Sequence, residues 1–216
     1  MILTILAAAS LTNVFPAIDR RERYSFGGSN ALAAQIRQGA PADVFASANT
    51  ALPQQLYRAR LVEKPVVFTH NALTLIVPKS NPAHIRSVAD LRRKGVKLVV
   101  AAPGVPVGDY TRTVLRRLHR TGVLRNVVSE ENDVRDVLAK VALGEADAGF
   151  VYRTDARTVR GKVRTLSLPR RAQPRVAYAV AVVRGGHAAA ARRWMQRLLG
   201  KAAQAKLRAA GFLPRR

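Results

Sequence analysis

Phe26-Gly27-Gly28-Ser29-Asn30-Ala31-Leu32-Ala33-Ala34-Gln35-Ile36 is the stretch whose reading decides the fold. Tyr24-Ser25-Phe26 reads as the end of a strand. Gly27-Gly28 lets the backbone turn sharply and lets another group approach it closely. Ser29 or Asn30 suits an N-cap, and Leu32 and Ile36 lie four apart on the helix that follows. Strand, glycine turn, serine and helix together make a neutral cradle for an anion. The first N–H groups of a helix lack internal partners, and the helix dipole is positive at that end. Read alone, the stretch favours an ordinary capped helix after a tight turn. Its recurrence along the chain is what gives it weight.

Toward the N-terminus, Ile2–Ala8 reads as a buried strand running into Ser10-Leu11-Thr12-Asn13. Ser10 then sits at a strand-to-helix turn, with Val14, Phe15 and Ile18 on the inner helix face. The opening residues lack the charged n-region of a signal peptide, so no leader is read in this chain. Toward the C-terminus, Gly39-Ala40-Pro41 ends the Asn30–Gln38 helix and Asp43–Ala46 is the next strand. Leu52–Ala59 is a helix; Val66–Phe68 and Ala72–Pro78 are apolar strands. A second unit begins near Pro78, with a short helix at Ser87–Leu91 and a buried strand at Val96–Ala101. Pro103–Gly108 is a turn, and Tyr110–His119 is a helix. Pro106 suits a helix start, where neighbouring N–H groups, that of Val107 among them, point outward. Asn132-Asp133 caps the helix Val134–Leu143. Ala148–Tyr152 is a strand that delivers Tyr152 at its end, the side on which α/β sheets bind ligands. Leu166–Leu168 and Val176–Val183 are the last strands, and Ala188–Leu199 and Ala202–Ala210 the last helices. Strands alternating with helices predict an α/β architecture with mainly parallel sheets.

Composition narrows the function. The 216 residues suffice for one large or two small domains. No run reaches the ~18 apolar residues of a membrane span. With no cysteine, disulfides, thiolate metal sites and thiol catalysis are excluded. The net charge is +24, and sixteen Lys and Arg residues follow Asp155, the last acid. Such a surface attracts nucleic acid and anionic membrane without specificity, or is simply a solvated basic surface. Gly27-Gly28-Ser29-Asn30-Ala31 is not a nucleophile elbow, because alanine holds the last position. His70, His84, His119 and His187 show no spacing suited to a metal or a triad. Asp43 and Asp133 read as a strand-edge residue and a helix cap rather than an acid/base pair. Enzyme chemistry is not expected.

Five segments together resemble a known family. They are Ala7-Ala8-Ala9-Ser10-Leu11-Thr12, Phe26–Leu32, Gly39-Ala40-Pro41-Ala42-Asp43-Val44-Phe45-Ala46-Ser47-Ala48, Val105-Pro106-Val107-Gly108 and Gly144-Glu145-Ala146-Asp147-Ala148-Gly149-Phe150-Val151-Tyr152. In order and spacing they are similar to the molybdate-binding proteins of ABC importers, from Leu3 to about Phe212. The resemblance implies a two-lobed type II periplasmic-binding-protein fold with the ligand cleft between lobes. Residues 1–77 with 184–216 would form one lobe and 78–183 the other, with hinge crossings near 77–78 and 176–184. It implies molybdate or tungstate held by the hydroxyls of Ser10 and Ser29, the backbone N–H groups of Val107 and Val134, and the Tyr152 hydroxyl. The metal is thus bound as an oxyanion, not as a cation, and no cofactor is implied. The implied partner is the membrane permease of an ABC importer, with the receptor a monomer, periplasmic or tethered outside the cytoplasm. The Ser10–Ser29 interval is shorter than the family's, which takes from the end of the first helix and the start of the next strand. Two other readings stand beside this one. A basic nucleic-acid-binding protein rests on charge alone, without stacking aromatics or a Cys/His finger. A cytoplasmic oxyanion sensor of the same fold lacks a helix-turn-helix segment.

Overall fold

The computed structural model describes residues 1–215. The chain first lays down β1 (Thr4–Ala8), α1 (Val14–Ile18), β2 (Arg23–Gly27), α2 (Ser29–Arg37), β3 (Val44–Ser47), α3 (Ala51–Arg58) and β4 (Val66–Asn71). It continues with β5 (Leu73–Pro78), β6 (Leu98–Ala101), α4 (Pro106–Arg117), β7 (Val127–Glu131), α5 (Val134–Ala142), β8 (Ala148–Tyr152), α6 (Arg153–Thr158) and β9 (Val163–Leu166). β10 (Val176–Val182), α7 (Ala188–Leu199) and α8 (Lys201–Ala210) follow. Short 3-10 turns fill several of the connections, including Ala9–Leu11 after β1.

Two compact units result, residues 1–71 with the chain from Val176 onward, and Ala72–Arg175. Unit 1 is built on a five-stranded sheet in the order β2-β1-β3-β10-β4. β1 is parallel to β2 and β3, whereas β10 runs antiparallel between β3 and β4. β1 and β3 lie inside the sheet and read as almost unbroken apolar runs, as strands covered on both faces do. β2 is an edge strand of mixed exposure. Trp194 of α7, Phe15 of α1 and Phe68 of β4 join in an aromatic cluster, with Phe15 5.5 Å from Trp194 and 5.9 Å from Phe68 between ring centroids.

Unit 2 is built on a second five-stranded sheet, β7-β6-β8-β5-β9. β6 is parallel to β7 and β8, and β5 is antiparallel to β8 and β9. Each sheet is therefore mainly parallel with one strand reversed within it. α5 packs on β8 at Gly149, where a Cβ would stand 2.8 Å from Val137 and 3.0 Å from Val141. A larger residue there would lift the helix from the sheet.

The unit boundaries differ from the expected ones. β5 pairs along its whole length with β8 and β9, so it belongs to unit 2, and the first crossing is at 71/72 rather than 77–78. Pro78 ends a strand, not a lobe. β10 pairs with β3 and β4, which puts the second crossing at 175/176, at the near edge of the expected 176–184 interval, and moves 176–183 into unit 1. The expected strand Leu166–Leu168 is shifted to Val163–Leu166 by its register with β5, Pro78↔Val163 to Leu75↔Leu166. α4 begins at Pro106, four residues before the expected start. β7 and α6 were not anticipated, because Val127-Val128-Ser129-Glu130-Glu131 and Arg153-Thr154-Asp155-Ala156-Arg157-Thr158 are too polar to show a clear apolar period.

Candidate functional site

Every residue expected to bind an anion lies at or just beyond the C-terminal end of a strand. In unit 1 the register pairs Ala8 of β1 with Gly27 of β2. Ser10 and Ser29 each lie two residues beyond that pair, so equal chain lengths carry both hydroxyls past the same end of the sheet. Both side chains are buried. Five residues suffice for α1, and the shortened interval between the serines leaves this register intact.

Ser29 is the first residue of α2, and Gly28 rather than Ser29 or Asn30 occupies the N-cap position. The N–H of Ala48, just past β3, donates to Ser29 Oγ at 3.1 Å. With a lone pair thus filled, the hydroxyl proton is left to give. Ser10 Oγ lies 2.9 Å from the hydroxyl of Tyr178 on β10. Asn71 Nδ2, which can only donate, reaches the same Tyr178 hydroxyl at 3.4 Å. Tyr178 thus accepts from Asn71 and shares a hydrogen bond with Ser10 in which either hydroxyl can donate; when Tyr178 donates, the Ser10 hydrogen is left to point at an anion. Ala48, Asn71 and Tyr178 were not singled out from sequence. Tyr178 lies there only within the expected strand Val176–Val183, and Ser10 is 168 positions away from it.

In unit 2 the donors are backbone groups. Pro106 is the first residue of α4 and Val107 the second. Gly108 then packs against the end of β6, where a Cβ would stand 2.3 Å and 2.4 Å from the carbonyl oxygens of Ala102 and Ala101. Only glycine lets α4 start so close to the strand. Val107 N–H is among the first-turn donors without an intrahelical acceptor. In α5, the carboxylate of Asp133 accepts from Arg135 N–H at 2.6 Å and Asp136 N–H at 3.3 Å, which makes it the cap expected of it. The cap takes the second and third N–H groups and leaves that of Val134, the first. Tyr152 closes β8, is buried, and has its ring 6.5 Å from that of Tyr110.

An ion pair with a fully buried carboxylate joins α5, which carries Val134, to α6, whose N-cap residue is Tyr152. Arg135 Nε of α5 lies 2.9 Å from Asp155 Oδ1 in the first turn of α6. Burial pushes the Asp155 carboxyl up to about 7, against the lowering effect of Arg135. Asp43 has a different environment at the opposite end of unit 1. Burial works to raise it, but the N–H groups of His187 and Thr4, at 2.8 Å each, hold it below the ordinary carboxylate range. It ties the start of β1 to the segment before α7. Among the described residues, no group of His, Asp and Glu side chains is arranged to hold a metal cation.

Residues 19–213 match the model of a family described as bacterial extracellular solute-binding proteins. The molybdate-binding protein ModA of Mycobacterium tuberculosis is 39% identical, across 97% of this chain and 84% of its own length. ModA of Escherichia coli is 31% identical, across 97% and 88%. Among solved structures, the periplasmic molybdate-binding protein of Azotobacter vinelandii superposes with a TM-score of 0.86, covering 99% of this chain and 100% of that one. At 21% identity that last likeness speaks for the fold alone.

Proposed function

The chain belongs to the ModA family of bacterial extracellular solute-binding proteins, and from that premise we propose that it is a receptor for molybdate. The observation that carries the reading is the pair Ser10 and Ser29, two buried hydroxyls at matched positions, Ser29 accepting from Ala48 N–H and Ser10 hydrogen-bonded to Tyr178. In the proposal, the dianion accepts from these hydroxyls, from the N–H groups of Val107 and Val134, and from the Tyr152 hydroxyl. None of the five donors carries a charge. Attraction comes from the positive ends of α2, α4 and α5, and the ligand stays exchangeable, as a transported solute must. A donor-only site also rejects hydrogen phosphate, whose own O–H would meet a donor.

Tungstate, nearly the same size as molybdate, is bound with similar affinity on this reading. Sulfate has the charge but is too small to reach all five donors. The receptor works outside the cytoplasm as a monomer and hands molybdate to the permease of an ABC importer. Nucleic acid is not its ligand. Calorimetric titration with molybdate, tungstate, sulfate and phosphate tests the reading. Tight, salt-insensitive binding of the first two is expected. Equal and salt-steep responses to all four would leave only the general attraction of a +24 surface.

A further inference from the structure

The proposed receptor site makes no use of the basic excess, and much of that excess in unit 2 has a definite place. A groove of about 550 Å³ runs between α6 and the edge strand β9. Arg153, Arg157 and Arg160 line one wall. Arg153 and Arg157, four apart, share one face of α6, and Arg160 stands just past its end, bridged to Val163 at the start of β9. Thr165 and Ser167 line the other wall, on the same side of an extended segment, and Arg170 stands at the start of the following 3-10 turn. No acidic residue lines the groove. Asp155, the one acid of α6, is turned away and fully buried against Arg135. Among the described residues no ion pair engages Arg153, Arg160 or Arg170, and all three are exposed.

We propose that this groove is a second anion site, specific to unit 2, for a ligand bearing phosphate. Its chemistry is opposite to that of the neutral donor set. The guanidinium groups of Arg153, Arg160 and Arg170, with Arg157 beside them, and two hydroxyls line one open groove, which suits several phosphate oxygens at once. An exposed pair of single charges is worth little in salt, so the site selects for ligands that engage several arginines together. A free oligophosphate or phosphate ester and the headgroup of an anionic lipid share that chemistry.

The test uses the full chain, saturated with molybdate, at about 0.15 M salt, the ionic strength at which screening reaches about 8 Å. Inorganic tripolyphosphate is titrated by calorimetry into the parent, into Arg160→Gln/Arg170→Gln, and into Arg193→Gln/Arg208→Gln, a charge-matched control in unit 1. One site is expected, weakened more than tenfold in the groove variant and less than twofold in the control. Vesicles of phosphatidylglycerol and of phosphatidylcholine separate the sources. Phosphatidylglycerol capture that the groove variant loses assigns a lipid headgroup; tripolyphosphate binding without groove-dependent capture assigns a soluble phosphate. Equal weakening in both variants, or no saturable binding by the parent, overturns the proposal. Melting curves of both variants confirm that each is folded.

Discussion

Ser10 has a single hydrogen, and it is free to point at an anion when the Tyr178 hydroxyl is the donor of the bond they share. Removing that donor should weaken binding without removing the serine. Tyr178→Phe keeps the edge-on ring contacts with Phe68 and Phe212, at 6.1 Å and 5.6 Å, and loses only the hydroxyl. A neutral hydrogen bond is worth about 0.5–1.5 kcal/mol, so molybdate affinity should fall about two- to tenfold. Ser10→Ala and Ser29→Ala each remove a direct, charge-assisted bond worth about 1.5–3 kcal/mol, a loss of about ten- to 150-fold. Calorimetry on the three variants orders these effects. A Tyr178→Phe variant that binds like the parent would show that Ser10 needs no support from behind. At this scale the serines were legible because each follows a strand and precedes a helical turn. Their supports were not, since hydrogen bonds to Tyr178 and Ala48 join segments that only the sheet brings together.

The Arg135–Asp155 pair ties the start of α5, which carries Val134, to the start of α6, directly after Tyr152. Its energetics are pH-dependent. The folded-state pKa of Asp155 is raised, so the folded chain holds this proton more tightly than the unfolded one. The Asp155 contribution to stability is therefore greatest at low pH and declines as pH rises from the ordinary 3.8 to about 7. Asp155→Asn should flatten the stability profile across that window, as measured by urea unfolding at a series of pH values; an unchanged slope would mean that Asp155 does not titrate there. Arg135→Ala leaves the buried carboxylate without its cation and should cost about 3–5 kcal/mol near neutral pH, less in acid. Most elements were legible from apolar spacing: α7 has the bounds its periodicity predicts, and β8 ends at Tyr152 as read. The failures share a cause. β7 and β9 are edge strands, half exposed, so their sequences carry little of the apolar signal that marks β6 or β8. α6 is short and polar because one face packs while the other bears arginines. Pro78 suggested a boundary, yet hydrogen-bond pairing with β8 and β9, not punctuation, assigns a strand to its sheet.

Each unit has its own sheet and core, and the proposal gives each unit part of one donor set. This makes a prediction for the molecule as a whole, because Trp194, the single tryptophan, is buried in unit 1 and reports on that unit alone. Molybdate at about one hundred times its Kd should stabilise the folded chain by about 2.7 kcal/mol. At about 2–4 °C per kcal/mol for a chain of this size, the Trp194 melt should rise by about 5–10 °C. Sulfate at the same ionic strength should move it far less, which separates specific binding from screening of the basic surface. Tyr152 lies in the other unit, and Tyr152→Phe removes a donor while keeping the ring against Tyr110. If the anion draws on donors from both units, this variant should keep the parent's Tm without ligand, release molybdate faster in stopped flow, and show a smaller molybdate shift in the Trp194 signal. If the anion is held by Ser10 and Ser29 alone, the Trp194 shift will be the same in variant and parent, and Tyr152 will be a core aromatic of unit 2 with no part in binding.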